Sequence, residues 1–230
     1  MKRIAPIVLA VVLLPAAVAS QQRQPHGRLF PPENLGLLEG PDRDVWQRPD
    51  QIMDALGIAE QSVVADLGAA SGWFTIRLAR RVGPNGRVYA EDIQAPMIEV
   101  IRRRVIRENL KDRVEPVLGT VDDARLPSGA LDAVLIVDAY HEMEQPVALL
   151  RNVARALKTD PPGRLGIVGF TMAGGGPGPP MEERIDPERV IREANAAGFE
   201  LIARPNFLRY QYMLVFAKPK AAAAVKRPPR

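Results

Sequence analysis

The chain contains no cysteine and only two histidines among its 230 residues. Without thiols it can form no disulfide bond, thiolate zinc site or cysteine nucleophile, and it cannot carry out thiol redox chemistry. The composition, with 47% hydrophobic and 25% charged residues, is that of an ordinary globular protein with one sizeable core. Disordered, collagen-like and multi-pass membrane proteins are therefore excluded.

The body of the chain has no excess of positive charge. The net charge is +4, but Lys2 and Arg3 supply +2 and residues 218–230 supply +5, which leaves −3 for the residues between them. A mildly acidic body argues against a nucleic-acid partner.

The amino-terminal residues are typical of a secretory signal peptide. A basic start is followed by an apolar run over 4–18, with Ala17 and Ala19 at the spacing that export peptidases prefer. The run is shorter than the roughly 20 residues of a membrane-spanning helix. We therefore expect residues 1–19 to be a cleaved signal peptide and the product to be periplasmic or secreted, without stable membrane insertion. The alternatives are an uncleaved membrane anchor and a buried helix.

The rest of the chain divides into three parts. Residues 20–40 are rich in Gln, Pro and Gly and predict a flexible linker or a loosely docked arm that carries no chemistry. Residues 41–217 form the predicted domain. Residues 218–230 are a basic tail that has little to bury, and we expect it to be disordered.

Within the domain, apolar runs alternate with helical patterns, which predicts an α/β fold around a parallel sheet. The predicted strands are Val63–Leu67, Arg87–Ala90, Arg113–Leu118, Ala133–Val137 and Arg164–Phe170, and the predicted helices are Asp44–Ile58, Trp73–Val82, Met97–Asn109, Val147–Leu157 and Pro187–Ala197. Two last runs, Glu200–Ala203 and Phe207–Ala217, are separated by three residues, too few for a crossover helix. They predict an antiparallel hairpin at one side of the sheet.

The loop from Asp66 to Gly72 follows the first strand, where an open α/β sheet places its ligand. Its Gly68, Ala70 and Gly72 do not match the G-x-G-x-x-G pattern of dinucleotide-binding proteins. A carboxylate at the strand end also repels phosphate and attracts an ammonium or a sulfonium. An NAD-dependent oxidoreductase is therefore disfavoured.

A second carboxylate, Asp92, ends the next strand 20 residues after Gly72. This is the distance at which an acidic residue can accept hydrogen bonds from both hydroxyls of an adenosine ribose. Together with Asp66 it favours a ligand with a cationic amino-acid end and a nucleoside end, and S-adenosylmethionine fits that description. Taken singly, Asp66 could cap a helix, Gly68 and Gly72 could serve only the turn, and Asp92 could begin a loop.

The segments VVADLGAASGWFT (63–75) and VGPNGRVYAEDIQAPMI (82–98) resemble the class I S-adenosylmethionine-dependent methyltransferases, over about residues 44–217. The resemblance implies a Rossmann-like, doubly wound sheet of about seven strands with an antiparallel last strand. It implies that Asp66, Gly68 and Gly72 hold the methionine portion of the cofactor and that Asp92 holds the ribose.

The sequence departs from this family at two positions of the cofactor site. The usual Gly-Asp after the third strand is Gly119 and Thr120, so Asp122 is the expected ligand of the adenine amino group. Ala70 replaces the more frequent glycine; if the position needs a positive φ, its β-carbon costs on the order of 1 kcal/mol, which cofactor contacts could offset.

The acceptor pocket is expected just past the fourth strand, at Asp138, Tyr140, His141 and Glu142. His141 is the candidate general base, although it could instead only hydrogen-bond a loop. Methyl transfer from a sulfonium needs no metal, and we expect none. The sequence lacks the ligands of metal-assisted catechol methylation, the Asn-Pro-Pro-Tyr motif of amino-methylating enzymes and the thiols of cytosine C5 and arsenic methylation.

The predicted function is thus methyl transfer by in-line displacement to a small oxygen, nitrogen or carbon acceptor. The alternative is an exported S-adenosylmethionine-binding protein without turnover, because the donor is made in the cytoplasm. The glycine- and proline-rich residues 173–180 could form a lid over the acceptor or a plain connection.

Overall fold

The computed structural model describes residues 29–219. The predicted signal peptide, His26, and the parts of the predicted linker and tail before residue 29 and after residue 219 lie outside these described residues.

Helices and strands alternate along the described chain, as the sequence predicts. The strands are β1 (Val63–Leu67), β2 (Arg87–Asp92), β3 (Val114–Leu118), β4 (Ala133–Val137), β5 (Arg164–Phe170), β6 (Glu200–Ala203) and β7 (Gln211–Ala217). The α-helices are α1 (Arg43–Gln47), α2 (Pro49–Ala55), α3 (Trp73–Arg81), α4 (Ala95–Arg107), α5 (Pro146–Ala156) and α6 (Pro187–Ala196), and short 3₁₀ helices span Pro32–Leu38, Tyr140–Glu142 and Met181–Glu183.

The seven strands form one sheet in the order β3-β2-β1-β4-β5-β7-β6. β1 to β5 pair with one another in parallel, while β7 runs antiparallel to both β5 and β6. This confirms the doubly wound α/β fold with an antiparallel carboxyl-terminal hairpin. The chain winds in opposite directions from β1 and from β4, so a crevice opens at the carboxyl ends of these two strands.

Two apolar clusters cover the two faces of the sheet. Alternate residues of a strand belong to different clusters, with Val64 in the cluster that contains α2, α3 and α4, and Ala65 in the cluster that contains α5 and α6. All five residues of β4 are buried, as a central parallel strand with both faces covered requires. The rigid centre of the sheet therefore lies directly under the crevice.

Two predicted elements differ from the structure. The helix predicted over Asp44–Ile58 is two helices, because Arg48 adopts a left-handed φ of 49° and Pro49 begins α2. The last predicted strand begins at Gln211 instead of Phe207, and residues 204–210 form the connection, in which Leu208 packs into the core.

None of the helices within residues 29–219 is both long enough and apolar enough to cross a lipid bilayer.

Candidate functional site

A cavity of about 610 Å³ lies at the carboxyl ends of β1, β2 and β4. Its walls come from the β1–α3 loop, the residues after β2 and β4, α1, the segment 29–40 and the segment 177–180. Eight carboxylates line it, together with a single guanidinium, that of Arg43, among the described residues. The carboxylates are those of Asp42, Asp66, Glu91, Asp92, Asp138, Glu142, Glu144 and Glu183.

The β1–α3 loop turns through three left-handed residues, Gly68 (φ 74°), Ala70 (φ 47°) and Gly72 (φ 75°). A β-carbon on Gly68 would lie 2.5 Å from the β-carbon of Ala139, so only glycine allows this loop to approach the residues after β4. Ala70 does adopt the positive φ considered from the sequence, and its strain is on the order of 1 kcal/mol. The loop therefore has an unfavourable conformation that brings bare backbone to the cavity wall.

Asp66 ends β1 as a buried carboxylate facing this loop. The hydroxyl of Thr75 donates a hydrogen bond of 2.6 Å to its Oδ2 atom. Burial raises the pKa of Asp66 to about 6, although the Thr75 hydrogen bond and the charge of Arg43 oppose the rise. A cation placed against this carboxylate would restore its charged form, so the position suits a positively charged ligand group.

Asp92 is fixed in orientation by two backbone amides. The N–H of Ala70 donates to its Oδ2 atom over 3.0 Å, and the N–H of Gln94 donates to Oδ1 over 2.9 Å. Burial raises its pKa, while these hydrogen bonds oppose the rise. Because each carboxylate oxygen has a further lone pair, Asp92 can still accept hydrogen bonds from a pair of hydroxyls.

Glu91 is a site residue that the sequence reasoning did not single out. Its side chain is buried and its Oε1 atom has no hydrogen-bond partner among the described residues. Burial, followed by the charge of Asp92, raises its pKa to about 8. A β-carbon on Gly119 would lie 1.9 Å from that oxygen. Glu91 therefore carries a proton at neutral pH and adds no full charge to the cavity.

Asp138 and Glu142 line the cavity past β4. Asp138 accepts hydrogen bonds from the amides of Gln47 (3.1 Å) and Gln211 (2.6 and 2.9 Å), and burial raises its pKa. Glu142 accepts a hydrogen bond of 2.9 Å from the N–H of Phe30, and burial raises its pKa to about 7.

His141 also lines the cavity, next to Glu142. Its Nε2 atom lies 3.7 Å from the Oε1 atom of Glu142. The two side chains therefore lie within ion-pair distance of each other at the cavity wall.

Three of the predicted site residues do not line the main cavity: Gly72, which turns the loop beside it, Tyr140 and Asp122. Tyr140 is buried among the residues of the α5 and α6 face, away from the main cavity, and its hydroxyl donates a hydrogen bond of 2.8 Å to Glu193. The 3₁₀ turn that begins at Tyr140 directs it to that face. Asp122 accepts a hydrogen bond of 2.9 Å from Thr120 and does not line the cavity, whereas Thr120 and Val121 do.

The described part of the predicted linker, residues 29–40, is docked against the cavity. Phe30 uses both of its backbone groups, since its N–H donates to Glu142 and its carbonyl accepts a hydrogen bond of 3.0 Å from Gln94. Glu39 is paired with Arg104 of α4. The arm interpretation of this segment thus describes it better than a free linker. Apart from Leu35, Leu37 and Leu38, nothing in its composition indicates that it docks.

The cofactor implied by the resemblance fits the residues present. The buried carboxylates Asp66 and Asp138 suit a sulfonium and an ammonium group, and Asp92 suits a ribose. The loop of small residues leaves backbone accessible beside them. Within residues 29–219 no three acidic or histidine side chains are grouped so that they could hold a metal ion.

A family model described as a methyltransferase domain matches residues 64–160. The chain is 28% identical over 127 residues to a ubiquinone/menaquinone biosynthesis C-methyltransferase, UbiE, from Hahella chejuensis (strain KCTC 2396), covering 55% of this chain and 49% of that protein. The chain thus spans about half the length of the curated relatives it matches.

Among solved structures, the chain is similar to a SAM-dependent methyltransferase from Aquifex aeolicus. The identity is 25% and the TM-score 0.77, covering 82% of this chain and 99% of the other. The [4+2]-cyclase SpnF shares the fold alone, with 17% identity, a TM-score of 0.64, and coverage of 76% and 82%. Residues 64–160 thus match a methyltransferase domain, and the described chain has the fold of a SAM-dependent methyltransferase, with a cavity whose lining suits that donor.

Proposed function

We propose that this chain transfers the methyl group of S-adenosylmethionine to a small-molecule acceptor inside the cavity. The observation that carries the proposal is that one cavity brings together Asp66 and Asp92, suited to the donor, and His141 and Glu142, suited to take a proton. Bound there, the donor supplies a methyl group that its sulfonium has already activated. The work left to the protein is to align a nucleophile with that methyl group and to exclude water.

In the proposed reaction the acceptor attacks in line with the carbon–sulfur bond. A lone pair or π-electron pair of the acceptor forms the new bond to the methyl carbon, the broken bond leaves its electrons on sulfur, and the acceptor's proton passes to His141. Glu142 lies beside His141 and would stabilise the imidazolium that results. The other product is S-adenosylhomocysteine.

The lining of the cavity disfavours an anionic acceptor. The residues that stay ionised among these eight acidic side chains would repel an anionic substrate. Apolar contact is available from Trp46 and Phe170, whose ring centroids are 5.9 Å apart and which both line the cavity. One relative is named as a C-methyltransferase of ubiquinone and menaquinone biosynthesis, so a carbon atom is the first acceptor to test, with oxygen and nitrogen acceptors beside it.

Isotope-labelled donor tests the proposal. We would incubate the purified protein with labelled S-adenosylmethionine and either hydroquinone, catechol, a primary amine or benzoate, or a small-molecule extract of its native cells. We expect label to appear in a compound that is not an anion, and not in benzoate. His141→Gln should slow transfer by about 100-fold or more, as for loss of a general base, while Tyr140→Phe should not. Donor binding with no label transferred to any compound would instead favour a binding protein without turnover.

The cellular location is a separate proposal that rests on residues 1–19. Their basic start, apolar run and small residues support export to the periplasm or the medium. The mass of the mature amino terminus tests it. Cleavage after residue 19 is expected, and a protein that keeps Met1 in the cell would contradict the cleaved signal.

A further inference from the structure

Arg43, the first residue of α1, reaches into the cavity from outside the residues matched by the family model. Its Nε atom donates a hydrogen bond to the side chain of Gln47, and its Nη1 atom donates one to the carbonyl of Leu38. Its Cζ atom lies 4.2 Å from the centroid of the Trp73 ring. These contacts fix the plane of the guanidinium, while Nη2 makes no hydrogen bond to any described residue.

Arg43 lies at the end of the cavity where β1 and β4 finish. There it is within electrostatic reach of Asp66 and Asp138. Burial lowers its pKa, whereas the charges of Asp138 and Asp66 raise it. An arginine stays protonated in such surroundings. Among the described lining residues it supplies the single permanent positive charge, against eight carboxyl groups. Among the described lining residues, Arg43 is therefore the one best suited to an anionic group of a ligand.

The amino-acid end of the donor carries an ammonium and a carboxylate on the same carbon. Asp66 and Asp138 can balance the ammonium, but they would repel the carboxylate. We propose that Arg43 binds this α-carboxylate through its unused Nη2 group. The site would therefore bind a donor that keeps its α-carboxylate more tightly than one that lacks it. The inference rests on the proposed function, because it assigns one residue to one group of the donor.

The test compares two ligands that differ only in that group. Decarboxylated S-adenosylmethionine keeps the sulfonium, the ammonium and the nucleoside, and lacks the carboxylate. Calorimetry on the full chain would measure both ligands against the wild type, Arg43→Met and Arg77→Met. Arg77 is the matched control, since it also stacks on Trp73, with its Cζ atom 3.4 Å from the ring centroid, but is paired with Asp44 and does not line the cavity.

We expect Arg43→Met to weaken S-adenosylmethionine binding by about 10- to 100-fold, the range for a charge-assisted hydrogen bond. Binding of the decarboxylated ligand should change by less than about 3-fold, because this ligand has no carboxylate for Arg43 to bind. Arg77→Met should bind both ligands as the wild type does.

The decarboxylated ligand also reports whether the variant pocket is intact. An equal loss of affinity for both ligands would assign Arg43 a structural role and overturn the inference, leaving the proposed function in place. A wild-type protein that binds neither ligand would overturn both.

Discussion

Replacing Asp92 by alanine removes the carboxylate that we assign to the donor's ribose. In the structure this carboxylate accepts two backbone hydrogen bonds, from Ala70 and Gln94, and each oxygen keeps one lone pair for a ligand. Loss of one or two charge-assisted hydrogen bonds to the ribose should weaken donor binding by about 1 to 3 kcal/mol, or roughly 5- to 150-fold.

The assay is calorimetry with S-adenosylmethionine and S-adenosylhomocysteine, because both carry the same ribose. Denaturant unfolding of the same samples would show how much of the effect comes from the two freed backbone amides. Asp122→Ala is the control, since Asp122 is exposed and is bonded to Thr120 outside the cavity. Unchanged affinity in a folded Asp92→Ala protein would refute the ribose assignment, and a loss confined to Asp122→Ala would restore the adenine assignment made from the sequence.

Three further predictions concern single side chains. Gly68→Ala should lower the free energy of unfolding by about 1 to 3 kcal/mol more than Gly175→Ala, since both have positive φ but only at Gly68 does a β-carbon meet another atom, at 2.5 Å; equal unfolding curves would contradict the close approach. The pKa of Glu91 is raised by burial from its ordinary 4.5 to about 8, so the folded state binds its proton more tightly and stability is lost as pH rises through that range. Unfolding of the unliganded protein by urea at pH 5 and pH 8 should show this loss, and Glu91→Gln should reduce it. If the free energy of unfolding of the variant changed as much between the two pH values as that of the wild type, Glu91 would not be the cause. Tyr140→Phe should cost about 1 kcal/mol of stability through the lost hydrogen bond to Glu193, and slower methyl transfer by this variant would return Tyr140 to the acceptor pocket.

The sheet and the donor loop could be predicted because their signals are local. The alternation of apolar runs and helical patterns defined the strands, and a loop of small residues after Asp66 indicated where a ligand binds. Asp92 followed from its separation of 20 residues from Gly72. Each of these predictions depends on residues close in sequence, or on a fixed number of residues between one strand end and the next.

The docked arm and the position of Arg43 at the cavity could not be predicted, because the cavity residues that they meet are distant in sequence. Phe30 meets Glu142, which is 112 residues away, and the Pro- and Gly-rich composition around it is equally typical of a free linker. Tyr140 and His141 are adjacent, yet a 3₁₀ turn sends one to the core and leaves the other at the cavity. The side of such a turn that a residue occupies depends on packing, which periodicity does not report.

The most direct test of the central claim is calorimetric titration of the wild-type full chain with S-adenosylhomocysteine and, separately, with NAD. The account predicts one site for the sulfur nucleoside and no binding of the dinucleotide, whose phosphates the carboxylates of the cavity repel. Absence of binding by S-adenosylhomocysteine, or tighter binding of NAD, would contradict it.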